Sequence, residues 1–207
     1  MHILKIDSSF LEAHSASREL TAAIVAALAS HHRDATITYR DLAGEDVPHV
    51  STTALPSVHP AALPDDALTA DGLAARRTSD AMLQEFLAAD IVVIGAPMYN
   101  FFIPSQLKAW IDRIVIPGTT VRYTADGPEG AAGGKKIVVA IARGGVYPRD
   151  GSGPFPDYAE DYLRTIFRFL GIDDMSFIVA EGLSMGEAAR AEALADAHAA
   201  IARLSGS

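Results

Sequence analysis

The stretch that most narrowly restricts this chain is "DIVVIGAP", residues 90–97. Successive Ile and Val favour extended backbone, and the run is too short for an ordinary buried helix. A strand that is apolar on both faces must be covered on both, as in a parallel sheet lying between helices. Runs 2–7, 36–42, 136–142 and 175–183 read as further strands. Apolar residues recur at helical spacing over about 17–31, 79–88, 158–170 and 186–204. "PSQLKAWIDRI" adds a helix with Pro104 in its first turn, where a missing N–H costs little, and Ser15 and Ser17 are candidate N-caps for the first helix. Residues 43–78 carry Pro48, Pro56, Pro60 and Pro64, keep no long stripe, and read as an excursion with one short helix. "YTADGPEGAAGGKK" reads as turns. Five strands alternating with helices predict an α/β fold, a doubly wound five-stranded parallel sheet with helices on both faces, most often in the flavodoxin-like order 2-1-3-4-5. No repeat or linker divides the chain, so residues 1–207 are expected to form a single domain.

Composition removes several classes of function. The 49% of apolar residues suffice for a large core. Seventeen Lys and Arg against 26 Asp and Glu leave a formal charge of −9, which argues against a nucleic-acid partner. No cysteine is present, so disulfides and thiolate chemistry are excluded. No apolar run reaches the roughly 20 residues of a bilayer span, and "MHILKIDSSF" is no signal peptide; no membrane insertion and a cytoplasmic location are expected. The seven histidines show no metal spacing, and His31-His32 fits the favourable end of a helix dipole.

In an open α/β sheet ligands bind beyond the carboxyl ends of the strands. Three loops leave the expected central strands there: 8–17, 96–103 and 143–157. The first holds Ser8, Ser9, Ser15 and Ser17 and enters a helix, which suits a phosphate monoester; the plain alternative is a serine-rich N-cap. It is neither a Gly-x-Gly-x-x-Gly fingerprint nor a Walker sequence. The second, "PMYNFF", offers flat apolar surface from Met98, Tyr99, Phe101 and Phe102 and polar atoms from Asn100; it suits a planar ring with polar edges, or else an aromatic packing cluster. The third opens "ARGGVY", where Gly144 and Gly145 allow close backbone approach and Arg143 adds charge; a tight turn is the alternative. Phosphate, ring face and ring edge at one end of one sheet point together to a flavin.

"APMYNFFIPSQLKAWID", "RYTADGPEG", "GKK" and "ARGGVY", with "SSFLEAHSAS" and "AEGL" in matching order, resemble the FMN-dependent NADH-azoreductases, which are also quinone reductases of the flavodoxin-like superfamily. The resemblance covers nearly the whole chain. It implies an NAD(P)H oxidoreductase, with NADH or NADPH as reductant and quinones, azo compounds or other flat electron-poor molecules as acceptors. It also implies a homodimer with one FMN per subunit at the interface, and ping-pong hydride transfer. By the same resemblance Ser9, Ser15, Ala16 and Ser17 hold the phosphate and ribityl end. Pro97, Met98, Tyr99, Asn100 and Phe101 line the isoalloxazine, and Ala142, Arg143, Gly144 and Gly145 approach its pyrimidine edge. Phe102 and Tyr123 stand on the substrate side; Tyr123 is a possible proton donor, and no catalytic side chain is assigned because the flavin carries the chemistry. The chain departs from the family at Ala16, where Gln is common, at Phe102, where Asn is common, at Pro104, and at Ala142, where Ser or Thr is common.

Two rivals come from other classes. A flavodoxin-type carrier would bind FMN without a small substrate. "GLSMG", residues 182–186, matches the Gly-x-Ser-x-Gly elbow of hydrolases, but only Asp196 and His198 follow it, two apart on one helix and facing different ways. Ser184 as an N-cap is the plainer reading. Trp110 is expected to pack.

Overall fold

The computed structural model describes residues 1–45, 47–148, 152–153 and 155–204. Residue 46 of the excursion, residues 149–151 and 154 of the third loop, and residues 205–207 of the expected domain lie outside the described residues.

The strand foreseen at 90–97 is β3 (Ile91–Pro97), with all seven residues buried. It pairs in parallel with β1 (His2–Asp7) on one side and β6 (Lys136–Ala142) on the other. β2 (Thr36–Asp41) lies outside β1, and β7 (Met175–Ala180) lies outside β6. The order β2-β1-β3-β6-β7 is the expected 2-1-3-4-5 once the strands of a separate hairpin, β4 (Val121–Thr124) and β5 (Gly127–Gly130), are counted. The pairs Asp7↔Gly95 and Pro97↔Ala142 bring the carboxyl ends of the three central strands level, so the loops after them leave side by side.

The period-2 alternation of these strands feeds two cores. Leu4, Ile6, Val92, Ile94, Val139 and Ile141 face α2 (Ala70–Ala88), α3 (Ser105–Ile114) and α4 (Tyr158–Phe169). Ile3, Val93, Val138 and Ala140 face α1 (Ala16–His31) and α5 (Glu187–Leu204). Trp110 packs as expected: it is fully buried, edge-on to Phe86 at 5.9 Å. No described helix is long and apolar enough to cross a membrane.

Two expectations need correction. Helix α2 starts at Ala70, capped by Thr69, and not near residue 79. Its first turns bury Gly72 and Arg76 in place of large aliphatic residues, and Arg76 pairs with Asp65 at 2.6 Å, so no apolar stripe marked them. The excursion is correspondingly shorter, and Arg113, itself buried, pins it by donating to the Pro48 carbonyl at 2.8 Å and to Ser79 at 2.9 Å. The segment read as turns, residues 123–136, contains β5 and the end of β4. It docks where Ala132 N–H donates to the Leu170 carbonyl at 3.0 Å, just past α4.

Candidate active site

The serine loop is held from below. Ser8 Oγ donates to the Gly95 carbonyl at 2.6 Å, tying the end of β1 to β3. Arg18 donates through Nε and Nη2 to the Ser9 carbonyl at 3.0 and 2.8 Å, and grips Asp41 with both terminal nitrogens at 2.8 and 2.6 Å. Ser15 caps α1 by accepting from Arg18 N–H at 3.3 Å, and its hydroxyl lies 3.1 Å from that of Ser17. Ser17 sits inside the first turn and is no cap. The helix start leaves the amides of Ala16 and Ser17 without intrahelical acceptors. Ser9, Ser15, Ala16 and Ser17 are all buried.

The Arg18–Asp41 pair carries a pH dependence. Burial pushes the Asp41 carboxyl upward, but hydrogen bonds from Arg18 and from the amides of Gly44 and Ala43 outweigh it and hold the carboxyl below its ordinary 3.8. A depressed carboxylate contributes stability that is present above its unfolded value and lost as pH falls through the folded one. Asp41→Asn is therefore expected to cost about 1 kcal/mol at neutral pH, the worth of a partly exposed charge-assisted bond, and to flatten the loss of stability below about pH 4. Urea unfolding at a series of pH values checks this; an unchanged acid limb would refute it.

"PMYNFF" is a two-residue turn closed by Tyr99 N–H to the Phe102 carbonyl at 2.9 Å and Phe102 N–H to the Tyr99 carbonyl at 3.0 Å. Asn100 and Phe101 at its centre have φ of 50° and 67°. Positive φ at both central residues is what a type I′ turn demands. Asparagine tolerates it; phenylalanine rarely does, and such strain, about 1–3 kcal/mol, gathers at functional sites. The turn presents a shelf of rings. Phe10 lies 4.7 Å from Tyr99, whose hydroxyl sits 3.0 Å from Ser9 Oγ. Phe101 lies 5.0 Å from Phe155, and Phe102 lies 5.0 Å from Tyr162. Burial pushes the Tyr162 phenol up to about 12, so it stays neutral there.

After β6 the carbonyls of Arg143, Gly144 and Gly145 accept from Leu183, Ser184 and Gly182 at 2.9–3.1 Å, closing this loop onto the one after β7. Among the described residues the amides of Gly144 and Gly145 have no acceptor. A Cβ on Gly144 would sit 2.8 Å from Ser184 Oγ, so a larger residue there would have to turn that hydroxyl aside. The Arg143 guanidinium adds no free charge: it is 3% exposed and pairs with Asp157, with Glu160 at 2.9 Å and with Glu181 at 3.1 Å.

These loops bound two cavities that share Met98 and Tyr99. The smaller, about 290 Å³, is lined by Ser9, Ser15, Ala16, Ser17, Pro97, Ala142, Arg143 and Gly144, and also by His14, Ser184 and Arg190, which sequence reasoning missed. The larger, about 800 Å³, is lined by Phe10, Asn100, Phe102 and the start of α3, including Lys108. Phe101 and Gly145 sit on the flanking loops. Tyr123 lines neither cavity; it stands 70% exposed on β4. The hydroxyls, unengaged amides and flat ring surface, set in this sequence, are the donor set that FMN needs.

The Gly-x-Ser-x-Gly rival loses its base. Ser184 is exposed in the wall of the small cavity, whereas His198 lies about 16 Å along α5 from its start, paired with Glu19 at 2.9 Å.

Residues 1–204 match the model of a family described as having a flavodoxin-like fold. A protein of Methylobacterium radiotolerans named FMN-dependent NADH:quinone oxidoreductase is 53% identical over 205 residues, covering 99% of both chains. One of that name from Rhizobium meliloti is 54% identical over 203 residues, 98% of this chain and 96% of the relative. The crystal structure of an FMN-dependent NADH-azoreductase from Bacillus anthracis, in complex with FMN, superposes with a TM-score of 0.83 at 26% identity, covering 100% of this chain and 98% of the other.

Proposed function

The chain belongs to the flavodoxin-like family of FMN-dependent NADH:quinone oxidoreductases, and from that premise we propose that its joined cavities hold FMN for reduction of quinones and azo compounds by NADH or NADPH. One observation carries the reading: a small hydroxyl-lined cavity and a wide aromatic one meet at Met98 and Tyr99, as the phosphate and ring ends of one flavin require. When bound, FMN would supply two-electron redox chemistry between a reduced nicotinamide and the acceptor.

The chain's own residues bind, orient and exclude water. Ser9, Ser15, Ser17 and the first amides of α1 take the phosphate, where the positive end of the helix dipole favours an anion. Pro97, Met98, Tyr99, Asn100 and Phe101 would line the flavin ring, on a turn held by the paired Tyr99–Phe102 hydrogen bonds. The amides of Gly144 and Gly145 would be free to donate to the flavin's pyrimidine edge and to favour negative charge there, as an oxyanion hole does; Arg143 acts by holding that loop through its backbone. Phe102 makes the mouth apolar and suits flat, electron-poor acceptors. Donor and acceptor use this one mouth in turn, which gives ping-pong kinetics. Tyr123 lines neither of these cavities in the subunit that carries it. A cytoplasmic homodimer, in which a partner copy brings its exposed hairpin to the mouth, would give Tyr123 its substrate-side place.

The purified protein is expected to show a flavin spectrum that bleaches anaerobically with NADH or NADPH and returns on adding benzoquinone. A colourless protein that neither takes up FMN nor oxidises either nicotinamide would overturn the reading.

A further inference from the structure

The wall of the small cavity contains a cation with nothing described to neutralise it. Arg190, in the first turn of α5, lines this cavity beside Ser9, Ser15, Ala16 and Ser17 and is half-buried. Among the described residues its guanidinium makes no ion pair and no hydrogen bond. The other arginines near the site are committed: Arg18 to Asp41 and the Ser9 carbonyl, Arg143 to three carboxylates. A phosphate monoester carries between one and two negative charges at neutral pH, and this chain already carries −9. Hydroxyls and helix-start amides donate hydrogen bonds but bring no full charge, and Ala16 contributes no side-chain donor.

We propose that Arg190 is the charge partner of the FMN phosphate and makes the site select FMN over its unphosphorylated form, riboflavin. The inference rests on the FMN reading above. A guanidinium can give two parallel N–H donors to two phosphate oxygens, which lysine cannot. Its base is firm: Arg190 N–H donates to the Gly186 carbonyl at 3.0 Å, and the preceding loop is tied to Gly144 through Ser184 N–H at 2.9 Å. The cation thus comes from the far end of the chain to face the serines after β1.

The test uses apoprotein of the parent, Arg190→Ala and Arg190→Lys, titrated with FMN and with riboflavin by flavin fluorescence. Alanine is helix-compatible, so circular dichroism should not change. In Arg190→Ala the FMN Kd is expected to rise about 10- to 100-fold, the span of one charge-assisted bond, with riboflavin affinity unchanged and lysine recovering part of the loss. Unchanged FMN affinity in the alanine variant overturns the proposal. So does an equal loss of both flavins, which would mean packing and not charge. A parent protein that binds neither flavin would overturn the FMN reading itself, and this inference with it.

Discussion

Arg143→Ala is expected to unfold at lower urea concentration than the parent, losing about 3 kcal/mol, because it takes one cation from the buried Glu160 and the only cation that Asp157, 11% exposed, has among the described residues. Glu160 is 1% exposed, and Arg143 approaches it at 2.9 Å. Arg164 also holds Glu160, at 2.6 and 3.0 Å, but Asp157 and Glu181 have no second cation among the described residues. The same guanidinium joins three places in the chain: the end of β6, the Asp157 cap of α4 and the segment after β7. Combining Arg143→Met with Glu160→Met removes the deepest carboxylate together with its partner and should recover part of the loss, a non-additivity that a double-mutant cycle reads directly. If Arg143→Ala lost under about 1 kcal/mol, the range of a surface pair, the buried-cluster account would be wrong.

Gly130→Ala is expected to cost about 3 kcal/mol or more, at the upper end for overpacking. A Cβ there would lie 2.0 Å from Gly171 N and 2.2 Å from Leu170 C, and backbone atoms cannot turn aside as a side-chain tip can. Gly171 is itself fixed, with φ of 82° and its N–H donating to the Arg168 carbonyl at 2.8 Å where α4 ends. The hairpin must therefore lift away, taking Tyr123 with it. Limited proteolysis should cut near residues 121–130 in the variant before the parent. Equal stability and equal protease resistance would show that the hairpin is not seated on this glycine contact.

The strands were legible because β3 and the body of β6 are short apolar runs, and β3 has no polar face at all; their order followed from the alternation of strands with helices. The serine and aromatic loops were legible because their residue types suit phosphate and ring in order along one sheet edge. The start of α2 was not, since an ion-paired arginine and a glycine fill the place of its apolar stripe. The hairpin was missed because Gly127, Pro128 and Gly130 do not look like a strand, and its seat is a backbone contact. Arg143 read as free charge because its partners at 157, 160 and 181 become neighbours only when the loop folds onto α4 and β7. Arg190 carried no signal beyond its type; it lies in a helix whose Ala-rich sequence gives no hint that one turn faces a cavity. Even the decoy "GLSMG" had a use, since its Ser184 closes the cavity wall against Gly144.

The small cavity draws one wall from Ser9 to Ser17 and the other from Leu183 to Arg190. A ribosome adding about 5–20 residues per second spends roughly 10–40 s between these two walls. Throughout that interval the nascent chain displays its serine loop with no opposite side. A flavin that needs both walls must therefore wait for the helix that carries Arg190, and a chain truncated before that helix would lack one wall of the cavity.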